Sequence, residues 1–202
     1  PLVIAILLCI AVLVRFDIPL EAYNKGGDII NLFLGPATAV LALNIYNQMD
    51  VLKKHFWPVL AGCTAGSITS IGSVFLLCKA FGLEDSITKA LLPKSCTTPI
   101  AVGIAESQGG VVAITMVAVL LTGLIGALAA PLFAKVFHIK SPVAQGLATG
   151  ACSHALGTTK ALEMGEVQGA MSGISIGVCG IITVILSVFL LSGYGRGPAP
   201  WM

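Results

Sequence analysis

The chain has 202 residues, of which 56% are hydrophobic and only 10% charged, with a mean hydropathy of +0.98. A typical soluble chain carries about 25% charged residues, so this one cannot clothe a globular surface in ionised groups. Eleven basic residues against nine acidic ones, with no basic run longer than Lys53-Lys54, also exclude nucleic-acid binding. What remains is an all-α polytopic membrane protein lying in a lipid bilayer. Pro1 opens inside an apolar run with no Met and no charged region before it, so the chain reads as an N-terminally truncated fragment.

A spanning helix needs about 20 apolar residues, and seven segments come near that length. They are Pro1 to Val14, Ile29 to Tyr46, Phe56 to Leu77, Ile87 to Ala105, Val111 to Phe133, Val143 to Leu162 and Ala170 to Leu191. The fourth and sixth differ from the others because each is interrupted by small and polar residues. Their centres read Pro93-Lys94-Ser95-Cys96-Thr97-Thr98-Pro99 and Gly150-Ala151-Cys152-Ser153-His154-Ala155-Leu156-Gly157-Thr158-Thr159-Lys160. Irregular backbone at membrane depth survives only where protein or a water-filled cavity covers it. Cys96-Thr97-Thr98 falls on Cys152-Ser153-His154 at a spacing of 56 residues, the trace of a possible internal repeat. Paired interrupted segments in the two halves of a carrier point to its binding site.

Seven crossings would put Arg15, Lys25, Lys79, Lys89, Lys135, Lys140 and Arg196 on one face and only Lys53 and Lys54 on the other. Basic residues in short loops favour the cytoplasm, so this count expects a cytoplasmic C-terminal tail. The tail itself, residues 193–202, is expected to be disordered. Six scattered cysteines form no metal-binding spacing and read as small buried hydrophobes. The last segment carries Gly169, Gly173 and Gly177, two overlapping GxxxG units for close helix packing.

Enzyme readings fail. Ser153-His154 adjacency is no catalytic dyad, because neighbouring side chains on a helix diverge. No GxSxG accompanies that pair, neither HExxH nor a P-loop is present, and no cofactor or metal is expected. The ionisable residues inside the spans carry more information. A lysine at the bilayer centre costs about 2.5 to 3.5 kcal/mol on insertion scales, so it faces a cavity or a partner, or snorkels to the interface. Lys94 is a candidate for holding an anion; Lys160 has Glu163 three residues on to neutralise it. The candidate substrate-binding set is Lys94, Ser95, Thr97, Thr98, Pro99, Ser153, His154, Gly157 and Thr158. Hydroxyls clustered at two helix breaks would line a cavity there, or would bond back to their own helices. A helix restarting near Pro99 or Gly157 would offer N–H groups to a carboxylate.

At these motifs the chain resembles the LrgB/CidB-type membrane protein family. The likeness rests on Gly26-Gly27-Asp28-Ile29-Ile30, Leu34-Gly35-Pro36-Ala37-Thr38, Lys94 to Ala101, Gly146 to Thr158, and Lys160-Ala161-Leu162-Glu163. It covers residues 1 to 192 as one transmembrane domain, which the resemblance expects in the bacterial cytoplasmic membrane. The resemblance implies two roles of different class. One is transport of a small monocarboxylate anion of the glycolate, glycerate or pyruvate kind, as in the related plastid translocator. The other is a holin- or antiholin-like role regulating murein hydrolase export and lysis. It also implies a small LrgA-type membrane partner, and homo-oligomers are possible. The two polar helix breaks favour the carrier, since a pore former has no need of them.

Overall fold

The computed structural model describes residues 2–47 and 49–193. The chain forms two compact units, one up to Val40 and the other from Leu41 onward. In the first lie α1 (Leu2–Arg15), α2 (Leu20–Asn31) and the start of α3 (Leu34–Asn47), which runs across the boundary. The expected second segment, Ile29 to Tyr46, is therefore two helices with a turn at Leu32-Phe33. Pro36 gives the reason. In the first turn of α3 its missing N–H is harmless, whereas a helix continuing from Asn31 would drive its ring into the Leu32 carbonyl. The expected tail lies outside the described residues beyond Gly193.

The second unit continues with α4 (Met49–Lys54), α5 (Phe56–Ala80), α6 (Asp85–Leu91), a 3-10 turn (Leu92–Ser95), α7 (Thr98–Gln108), α8 (Val112–Val136), α9 (Pro142–Met164) and α10 (Glu166–Gly193). Among the described residues there is no strand, and three helices are long and apolar enough to cross a bilayer: α5, α8 and α10. At 25 residues each, α5 and α8 are about 37 Å long, more than a hydrocarbon core of about 30 Å.

Segments four and six do not run from one end of these long helices to the other. Each doubles back. After the 3-10 turn, Cys96 is extended (φ −127°, ψ 177°), and α7 brings the chain back beside the last turn of α6. A Cβ on Gly110 would lie 2.9 Å from the Ala90 nitrogen, and Thr115 Oγ1 donates to the Ala90 carbonyl at 2.9 Å. In α9 the reversal is sharper. A straight helix would hold Gly150 and Thr158 about 12 Å apart, yet both touch Ser172 of α10. Gly146 likewise meets Gln168, while Leu162 packs on the adjacent Gly169. His154 makes the bend, with φ 51° and ψ −136° inside an otherwise helical run. Within the run Gly150 to Lys160, His154 is the one residue with non-helical dihedrals.

The 56-residue spacing seen at three positions extends through the unit. Phe56 and Ala80 bound α5 where Val112 and Val136, 56 residues later, bound α8. Gly82 and His138 share a positive φ of 63° and 52°, and Gly109 and Gly165 both follow a hairpin at positive φ. The second copy is inverted, because α8 runs opposite to α5. Gly62 of α5 meets Leu147 on the outgoing arm of the α9 hairpin, at the end where α5 begins. Val74 and Cys78 pack with Leu92 at the end where α5 finishes. The α6–α7 hairpin enters from that second end and the α9 hairpin from the first, so their tips meet near mid-height.

This topology corrects the expected distribution of charge. Lys53 and Lys54, just before α5, share an end with Lys135 and Lys140, and Lys79 and Lys89 lie at the other. Glycine permits the close approaches at the centre. Gly123 and Gly126 of α8 lie against the Ser153 and Cys152 carbonyls.

Candidate functional site

Where the hairpin tips meet, Ser95 Oγ accepts from Ser70 Oγ of α5 at 2.5 Å, and Lys94 Nζ lies 3.4 Å from Ser95 Oγ. Lys94 forms no ion pair among the described residues. The buried His154 imidazole, from the opposite hairpin, lies against the Ser95 backbone and within reach of the Lys94 charge. Its Nε2 has no hydrogen-bond partner among the described residues. Beside them is a cavity of about 480 Å³, walled by Gly62, Gly66 and Ser70 of α5, Thr122 of α8, the outgoing arm of α9, and Lys94 and Ser95. No carboxylate lines it. An apolar pocket with one cation and a few hydroxyls suits a small anion better than a cation or a sugar.

Of the nine candidate residues, Lys94 and Ser95 line this cavity and His154 lies against the Ser95 backbone. The other six are not among its lining residues. Thr97 precedes α7 without a side-chain cap bond, and Thr98 and Pro99 form the first turn of that helix. Ser153 donates to the Thr149 carbonyl at 2.8 Å. Thr158 bonds both the His154 carbonyl at 3.0 Å and Ser172 Oγ at 2.8 Å. Any Cβ on Gly157 would strike Ser153 and come within 2.8 Å of the Thr149 carbonyl, so this glycine lets the two arms of α9 cross. These groups hold the second hairpin in shape. Lys160 reaches Glu163 at 2.6 Å, the neutralised pair expected from their spacing.

Sequence reasoning missed Gly62, Gly66, Ser70, Thr122 and Cys152. Gly62, Gly66 and Ser70 recur every four residues, the same signature noticed on α10, and mark one small-residue face of α5. Four of the six cysteines, at 63, 78, 96 and 179, are buried as expected, whereas Cys152 lies on the cavity wall.

Residues 1–192 match the LrgB-like family. The chain belongs to that family. The antiholin-like protein LrgB of Bacillus cereus strain B4264 is 43% identical over 186 residues, 92% of this chain and 81% of that protein. The antiholin-like protein LrgB of Bacillus anthracis strain A0248 aligns with the same figures. No solved structure matches. With its three long apolar helices this LrgB-like chain is an integral membrane protein. The relatives' names agree with the holin/antiholin reading of the sequence and say nothing of a carboxylate.

Proposed function

We propose that this chain acts as an antiholin-like protein of the bacterial cytoplasmic membrane, working with a small LrgA-type partner. The observation that carries this is its 43% identity, over 92% of its length, to proteins of that name. The test is lysis. In a bacterium deleted for its own LrgB-type protein, expression of this chain should slow autolysis, and more so with the LrgA-type partner than without it. Unchanged autolysis in both strains overturns the role.

A second reading concerns what the molecule moves, and the site favours it. Two opposed hairpins meet beside a cavity lined by Lys94, which forms no ion pair among the described residues. Irregular backbone at membrane depth and a buried charge are costly, and carriers tolerate both at a substrate site. In this reading α5, α8 and α10 cross the bilayer, and Lys94 and Ser95 hold the carboxylate of a small monocarboxylate. Thr97, Thr98 and the first turn of α7 stand nearby as further donors. The end bearing Lys53, Lys54, Lys135 and Lys140 is cytoplasmic by its basic residues, which sends the C-terminal end of α10 to the opposite face. In proteoliposomes, glycolate, glycerate or pyruvate flux should saturate and compete. Release of a large dye at a similar rate would overturn the carrier reading.

A further inference from the structure

The two inverted copies have the same elements but different packing. Gly62 and Leu147 line the open cavity, whereas their counterparts 56 residues away, Ala118 and Leu91, line a separate apolar groove of about 410 Å³ beside α8. That groove stops short of Lys94 and Ser95. The difference lies in the outgoing arm of each hairpin. Ala144 and Ala148 of α9 line the open cavity, and Ala148 is exposed. Thr88 and Leu92, at the matching places, are each only 2% exposed, with Leu92 packed on Ile71, Val74 and Cys78 of α5. One device therefore occurs twice, opened in one copy and shut in the other. The tips that hold Lys94, Ser95 and His154 stand between the two routes.

We propose that the two repeats exchange these packings, so that the groove beside Leu91 and Ala118 deepens into a second cavity reaching Lys94 and Ser95 from the opposite face. The open cavity shuts in the same movement, as the outgoing arm of α9 closes on α5. A small anion at Lys94 then meets one face of the membrane at a time. This rests on the carrier reading above, but accessibility tests it without any transported substrate. The two states differ only in which arm is packed down, so a ligand or wedge that favours one must disfavour the other.

The experiment uses the full chain in inside-out and right-side-out vesicles, with the exposed thiols Cys9 and Cys152 replaced by alanine. Ala148→Cys and Leu92→Cys are each labelled with a membrane-impermeant maleimide. The expected result is fast labelling of Ala148→Cys from one face and slower labelling of Leu92→Cys from the other. A wedge, Ala148→Trp, holds the first cavity open and should slow Leu92→Cys labelling at least tenfold. Ala118→Cys serves as a second reporter should Leu92→Cys fold poorly. Labelling of both positions from one face, or a rate at the second position that ignores the wedge, overturns the exchange. Reciprocal labelling without saturable carboxylate flux would leave the exchange standing and remove only the monocarboxylate.

Discussion

Lys94 is the candidate cation at the cavity wall and forms no ion pair among the described residues, so its neutralisation is the most direct test of anion binding. Attraction to a carboxylate is stronger there than in water because the surroundings are less polarisable. Lys94→Gln should raise the half-saturation concentration about tenfold, equivalent to ~1.4 kcal/mol, and Lys94→Arg should be milder. Unchanged uptake kinetics in Lys94→Gln would take the charge out of the site. His154 needs a different substitution from the customary alanine. Its φ of 51° and ψ of −136° are open to glycine and strained for alanine. His154→Gly should therefore keep the hairpin and melt within a few degrees of the parent, while His154→Ala melts lower. If the imidazole serves the anion, His154→Gly loses uptake at an unchanged melting temperature; normal uptake would leave it a structural group.

At the scale of the elements, the contact of α9 with α10 is built on absent side chains. At Gly150 a Cβ would collide with the Ser172 backbone and Ser175 Oγ, and at Gly146 with the Gln168 backbone. Gly150→Leu should cost about 3 kcal/mol or more, since the α10 backbone cannot give way. Gly72 of α5 has nothing within 4 Å of such a Cβ, so Gly72→Ala should be neutral or stabilising by about 0.5 kcal/mol. Thermal unfolding in detergent separates the two. Equal effects would mean that the arms of α9 are not packed as described. The elements also show how far the sequence could be read. Hydropathy found α5, α8 and α10, because each is a long apolar run. It also placed polar centres at 93–99 and 150–160. It did not show the chain turning back, because an apolar run that crosses and one that returns have the same composition. The candidates of the second hairpin carry two readings for a related reason: Ser153, Gly157 and Thr158 are small and polar where two arms meet, and composition does not separate that need from a ligand's.

For the whole molecule, the doubling back decides which loops share a face. Lys135 and Lys140 lie at the end where α5 begins, with Lys53 and Lys54. Ser141→Cys, in the α8–α9 connection, should then react with an impermeant maleimide only after cells are permeabilised. Glu84→Cys, in the α5–α6 connection, should react in intact cells. Both positions labelling from one side would restore an uninterrupted crossing between them. Counting basic residues over seven crossings gave a different partition, since every segment that returns moves all later loops to the opposite face.

The arithmetic of parity gives the 56-residue register a further meaning. A hairpin leaves the chain on the face from which it entered, and one long helix transfers it to the other. A unit of one long helix and one hairpin therefore changes face once, and a tandem second copy must be inserted upside down. Duplication of such a unit within one gene yields an inverted pair directly, with no subunit that has to insert in both orientations. α10 then adds one more long apolar helix, packed against the second hairpin.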